Sequence, residues 1–176
     1  LADEGAGRGE AAGGRMIERQ RRREAVEIAH RNKCDCVQIF TKNNNQWRAK
    51  ELTDEDVQLF QGKLKELGIS HPLAHDSYLI NLASPDKELW KKSVDSFVME
   101  MLRADRLGIP YLVAHPGAHT TSSEEAGIAA VVRALDETHR QTHGIKTKCL
   151  LETTAGQGSC LGRTFEQLAA MIEGVQ

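Results

Sequence analysis

Residues 107–117, LGIPYLVAHPG, contain one structural period of this chain. Leu107-Gly108 reads as the close of an amphipathic helix, because glycine accepts the left-handed backbone that ends a last turn. Residues 111–115, YLVAH, follow as a short apolar strand, and Pro116-Gly117 interrupt it. The same rhythm runs in both directions. Strands are expected at 34–40 (CDCVQIF), 71–75 (HPLAH) and 149–152 (CLLE). Helices are expected between them. One spans 54–67, with Thr53 as N-cap, an acidic first turn and Gly68 as C-cap. A second opens at Ser84-Pro85, with proline in the first helical position, and ends at Leu107-Gly108. A third opens at residues 122–125 (SSEE) and runs to Gly144, and a fourth, FEQLAAMIEG, is capped by Thr164. Residues 16–31, MIERQRRREAVEIAHR, are rich in helix formers and predict an earlier helix. Residues 1–15 are Gly- and Ala-rich without apolar periodicity and read as loop, disorder or a degraded first strand.

Strands alternating with helices over short connections are the βα signature of a single α/β domain, spanning residues 16–176. Four or five such units fit either part of a (β/α)8 barrel or a doubly wound sheet, and periodicity alone does not choose. The 176 residues fall short of the roughly 250 of a closed barrel. A hydrophobic content of 40% with 27% charged residues matches globular domains. No apolar run approaches the roughly 20 residues of a membrane span, and no secretory signal is visible, so a cytoplasmic setting without membrane contact is expected. Cys34, Cys36, Cys149 and Cys160 form no C-x-x-C pair, which favours reduced thiols. Between Arg15 and Lys33 seven Arg/Lys face three Glu. That run reads as a solvated helix face in preference to a DNA-contacting stripe.

Chemistry-bearing residues gather at strand ends. His75 closes the second strand, His115 the third and Glu152 the fourth, so a parallel fold would bring all three to its carboxyl rim, where such folds keep active sites. Two imidazoles and a carboxylate suit Zn²⁺ with one coordination position open. A single histidine after a strand is more often a hydrogen-bonded loop residue; the coincidence of three raises the metal reading. Gly117, Gly156 and Gly158 beside them would let backbone approach a phosphate.

Four segments carry a resemblance: CDCVQIFTKNNNQWRAK (34–50), HDSYLINLASP (75–85), HPGAH (115–119) and ETTAGQGSCLG (152–162). In order and spacing they closely resemble the endonuclease IV family, the class II apurinic/apyrimidinic endonucleases, from about Cys34 to Gln176. The resemblance implies a xylose-isomerase-like TIM barrel with three zinc ions at its rim, acting in base-excision repair on double-stranded DNA and hydrolysing the phosphodiester 5′ to an abasic site. His75 and His115 would hold one zinc and Glu152 would bridge it to a second, so that no separate protein base is required. The loop 41–47, through Asn43, Asn45 and Gln46, and Tyr78 would contact DNA. His119, Gly156 and Gln157 are candidate phosphate contacts. Asn45 stands where some members carry a groove-inserting arginine, which implies a weaker wedge, and Trp47 is expected to pack into the core.

The pattern also departs from the family. Of its opening G-A-H-x-S-x-A-G-G loop, residues 11–14 (AAGG) remain, with Arg8 in place of the histidine and Glu10 in place of the serine. The given sequence stops at Gln176, before the strand that brings further ligands in the family. One complete zinc site is therefore expected, together with self-association through open barrel edges. Two other readings stand beside the nuclease: an inactive fragment that binds metal or DNA, and a sugar isomerase or epimerase on the related barrel. The TKNNNQW and HDSYLIN segments favour DNA over sugar.

Overall fold

The computed structural model describes residues 6–176, with side chains from Glu18 onward. Its elements follow in strict alternation after a first helix: α1 (Ala6–Arg31), β1 (Cys36–Phe40), α2 (Asp54–Leu67), β2 (His71–His75), α3 (Lys87–Arg106), β3 (Tyr111–Ala114), α4 (Glu124–Gln141), β4 (Lys148–Leu151) and α5 (Phe165–Gly174). The strands form one parallel sheet in the order β1-β2-β3-β4. This order resolves the choice left by periodicity. A doubly wound sheet reverses direction at a switch point, whereas sequential neighbours, each joined through a helix, are the path of a barrel wall. The fold is therefore α/β, part of a (β/α)8 barrel.

Local chemistry sets the element ends. Thr53 and Asp56 form a reciprocal capping box on α2, and Gly68 closes it with φ 71°. α3 starts later than Ser84-Pro85 suggests. Asp86 is its N-cap, accepting from Leu89 N at 2.8 Å, while Ser84 Oγ accepts from Asp86 N at 3.2 Å. A carboxylate just downstream outcompetes the proline for the start. α4 ends at Gln141, short of Gly144, because Thr142 turns its hydroxyl back onto Thr138 O. α1 begins at Ala6, inside the segment read as loop; Ala6, Glu10, Ala11 and Ala12 are helix formers, and extending a helix costs less than nucleating one. Residues 1–5 lie outside the described residues.

The helices cover one face of the sheet. Ile39, Ala74, Leu112 and Ala114 point into them and are buried, together with Phe60, Phe97, Met101, Leu107 and Met171. The other face is more open: Tyr111 and Leu150 remain 39% and 40% exposed. The basic run on α1 is only partly solvated. Arg22 is buried, and Arg19 binds Glu55 and Asp56 of α2. All four cysteines are free. Burial pushes the Cys149 thiol up to about 12, so it stays protonated and offers a metal no thiolate. Among the described residues no helix is long and apolar enough to cross a membrane.

Candidate metal centre

Side chains on a strand alternate between faces, so positions two apart share one. Register pairs His75 with Val113 and Val113 with Leu150. Two residues beyond Val113 is His115, and two beyond Leu150 is Glu152. The period of the strand thus carries His115 and Glu152 past the ends of β3 and β4 onto the open face that His75 shares, at the carboxyl rim. Glu152 N still donates to Ala114 O, at 2.9 Å, which continues the ladder to the site.

The three side chains meet. Glu152 Oε2 lies 3.1 Å from His75 Nε2 and 3.5 Å from His115 Nε2, and one ligand atom from each residue falls within 4.8 Å of the others. Tetrahedral zinc with bonds of about 2.0–2.1 Å separates its ligand atoms by about 3.3 Å, so the donor set fits such an ion in type and spacing. His75 is presented for that role. Its Nδ1 donates to Asp76 O at 2.9 Å and lies 3.3 Å from Asp76 Oδ1, which leaves Nε2 aimed at Glu152. The buried Asp76 carboxylate, aided by Glu152, holds the His75 imidazolium well above its ordinary range, at about 9, against the pull of burial.

Aromatic rings wall the centre. Tyr78 is 64% exposed and packs edge-on against Phe40, with centroids 5.4 Å apart, while the His75 and His115 rings stand 5.2 Å apart. Beside them opens a cavity of about 460 Å³ lined by Tyr78, Asn81, His115, Thr154, Gly156 and Gln157. The loop after β1 lies on the same side. Asn43 Oδ1 accepts from Asn45 N at 2.9 Å, which turns Asn45 and Gln46 out to solvent. Trp47 is half-buried against the core, with Lys92 Nζ 4.5 Å from its ring centroid. Gln157 is exposed at the cavity, whereas Gly156 N–H is taken by Thr154 Oγ1 at 3.3 Å. His119 stands apart from the cluster: its Nδ1 donates to Ser122 O at 2.8 Å, and its Cβ fills the space over Gly127.

Sequence reading missed the residues that support these. Asp76 orients His75. Asn81 grips the loop after β3 by bonding both Ala118 N and Ala118 O, at 2.9 and 3.0 Å. Glu100, Lys42 and Arg103 are buried beneath the loop after β1. Glu100 alone carried a signal, as an acid on the apolar stripe of α3 between Phe97 and Met101.

Fold and cluster together define a TIM-barrel protein with a candidate metal site at its carboxyl rim. The chain belongs to the xylose isomerase-like TIM barrel family, whose model matches residues 26–176, and within it groups with endonuclease IV. The probable endonuclease 4 of Geotalea daltonii is 48% identical over 141 residues, covering 80% of this chain and 50% of that protein. The crystal structure of endonuclease IV from Thermus thermophilus superposes with a TM-score of 0.72 at 32% identity, covering 88% of this chain and 56% of that one. D-psicose 3-epimerase from Clostridium cellulolyticum follows at 0.68 and 15% identity, covering 88% and 54%, a likeness of fold alone. The chain spans about half the length of the relatives it matches.

Proposed function

We propose that this chain supplies the metal-binding and DNA-reading part of a zinc-dependent endonuclease that hydrolyses DNA 5′ to an abasic site. The observation that carries the reading is the His75, His115, Glu152 cluster, placed on the rim face beside the exposed Tyr78 and the loop 41–47. His75 and His115 would each give a ring nitrogen to one zinc ion, and Glu152 would give a carboxylate oxygen with its second oxygen free to bridge. When bound, zinc supplies a Lewis acid that activates water and neutralises charge gathering on phosphoryl oxygens, so no separate protein base is needed.

The remaining work falls to the chain's own side chains. The Asp76 carboxylate, 3.3 Å from His75 Nδ1, and the Asp76 carbonyl that accepts from the same nitrogen hold the ring with Nε2 facing the site. Tyr78 offers an exposed aromatic face to the gap that a missing base leaves in the stack, where extruding the nucleotide costs least. Asn45 and Gln46 present amides that can donate to and accept from groove edges and sugar-phosphate oxygens. Gln157 lines the cavity and would donate to a phosphate there, and His119 has Nε2 left for another.

The test incubates the purified chain with Zn²⁺ and a duplex bearing one synthetic abasic site. Zinc-dependent binding at that site, lost with EDTA and in Glu152→Ala, is the expected result for this part, and cleavage 5′ to the site would mean that one complete metal site suffices. A folded, zinc-loaded chain that neither binds nor cuts this duplex would refute it, and isomerisation of a ketose by the same preparation would replace it.

A further inference from the structure

Lys42 and Glu100 are a lysine and a glutamate sealed from solvent, 4% and 0% exposed, with Nζ and Oε1 3.4 Å apart. Neither belongs to the metal cluster. Their remaining polar atoms point into two separate loops. Glu100 accepts from Thr41 Oγ1 at 3.4 Å on one side and from Ser77 N at 3.2 Å on the other. Lys42 Nζ donates to Gln46 O at 2.5 Å and to Asn43 O at 3.4 Å. Ser77 Oγ closes the circuit, donating to Asn44 O at 2.6 Å. One turn along α3, Arg103 donates to Thr41 O and Lys50 O, both at 2.7 Å.

A buried ion pair is a poor device for stability alone, because desolvating two charges offsets most of their attraction and well-packed apolar residues commonly do as well. What apolar residues cannot do is hold backbone carbonyls and amides at fixed points. Here the pair is spent on such groups, and all of them lie in two segments: 41–46, which carries Asn43, Asn45 and Gln46, and Ser77, which lies between the orienting Asp76 and the exposed Tyr78. Hydrogen bonds to charged groups are also about twice as strong as neutral ones, so few are needed.

We propose that Glu100, acting through Lys42, Thr41 and Ser77, is a positioning residue that locks the loop 41–47 to the Ser77-Tyr78 segment as one rigid surface for a DNA duplex with an abasic gap. The identity of the ligand rests on the function proposed above; the locking rests on the network alone. Separately anchored loops would order themselves on DNA and lose affinity to that ordering, whereas a prelocked pair does not.

The experiment is hydrogen exchange by mass spectrometry on the full chain, with anisotropy of a labelled duplex containing an abasic analogue and a zinc titration in parallel. In the unsubstituted chain, segments 41–50 and 76–80 are expected to share one opening free energy through sub-denaturing urea, as a single unit does. Distinct values overturn the proposal without any variant. Glu100→Gln and the double variant Lys42→Met/Glu100→Gln, which leaves no unpaired buried charge, are expected to raise exchange in both segments together. Measured at pH 8, where Glu100 is ionised, they should weaken duplex binding about tenfold or more, the loss of one charge-assisted bond, with β2 and β3 protection and zinc affinity unchanged. A double variant with unaltered exchange in both segments, or a rise in only one, overturns the locking. A wild-type chain whose segments open together but which binds no abasic duplex overturns the nuclease reading and leaves the locking standing.

Discussion

Gly117→Ala is expected to be among the most damaging single-methyl additions in the protein. Gly117 has φ +100°, and a Cβ there would lie 2.2 Å from Asn81 Oδ1, with Leu82 N and Ala83 N at 3.1 and 3.2 Å. The left-handed backbone alone costs an alanine about 1–3 kcal/mol. Displacing the Asn81 side chain also breaks its bonds to Ala118 N, Ala118 O and Ala83 N, each worth about 1 kcal/mol. The total is about 4–6 kcal/mol, which at a urea dependence of about 2 kcal/mol per molar lowers the unfolding midpoint by about 2–3 M. Gly158→Ala is the control, since φ is +58° there and no atom lies within 4 Å of the added carbon. It should cost only about 1 kcal/mol of backbone preference. Because Gly117 lies two residues from His115, zinc affinity should fall in the first variant and not in the second. Equal midpoint shifts for the two substitutions would refute the steric argument.

Asp76→Asn should weaken zinc binding about 10–100-fold with the fold intact, since it removes the carboxylate 3.3 Å from His75 Nδ1 and leaves only the bond to Asp76 O; affinity within about twofold of wild type in a calorimetric titration would show that the carboxylate does not orient the ring. Burial pushes the Glu100 carboxyl from 4.5 to about 7 despite Lys42, so the native state holds its proton the more tightly. Its contribution to stability is complete below about pH 4.5 and is lost as pH rises through about 7, a fall of a few kcal/mol that Glu100→Gln should remove; parallel urea-stability profiles for the two proteins from pH 4.5 to 8 would contradict this. Asp56 behaves oppositely. Burial opposes its charge, but bonds from Arg19 and Thr53 prevail and hold the carboxyl below its ordinary 3.8. That stability is present above about pH 4 and is lost as pH falls through the lower folded value, so Asp56→Asn should flatten the acid limb of unfolding followed by circular dichroism.

The barrel wall was legible because its determinants are local. Thr53, Gly68 and Thr164 cap where hydroxyls and positive φ are needed, and each apolar run is bounded by residues that cannot extend it. Where reading strayed, a competing local bond decided. Asp86 displaced Pro85 as the start of α3, and Thr142 stopped α4 before Gly144. The order of the strands was not legible. Four apolar segments joined by helices satisfy barrel and doubly wound sheet alike, and only the register of β1 with β2, β2 with β3 and β3 with β4 separates them.

For the site, residue type and strand parity were enough to bring His75, His115 and Glu152 together, because each extends a strand whose facing is fixed by a period of two. The supporting residues obey no such rule. Asp76 is buried one residue past β2, where its N–H extends the ladder to Val113 O at 2.9 Å, and its role depends on the neighbouring His75 ring it meets there. Asn81 acts through Ala118, thirty-seven positions away, and Glu100 through Thr41, fifty-nine away. Polar side chains of this kind look in sequence like ordinary loop or helix surface, since what distinguishes them is the backbone they bind. The exception is a charge in an apolar register. Glu100 occupies the stripe of α3 that also carries Phe97, Met101 and Ala104, and an acid there must find donors or stay protonated. It finds them in Lys42, Thr41 and Ser77, all in the loops that face the rim. A misplaced charge on a buried helix face therefore points through the core to the loop whose shape it maintains.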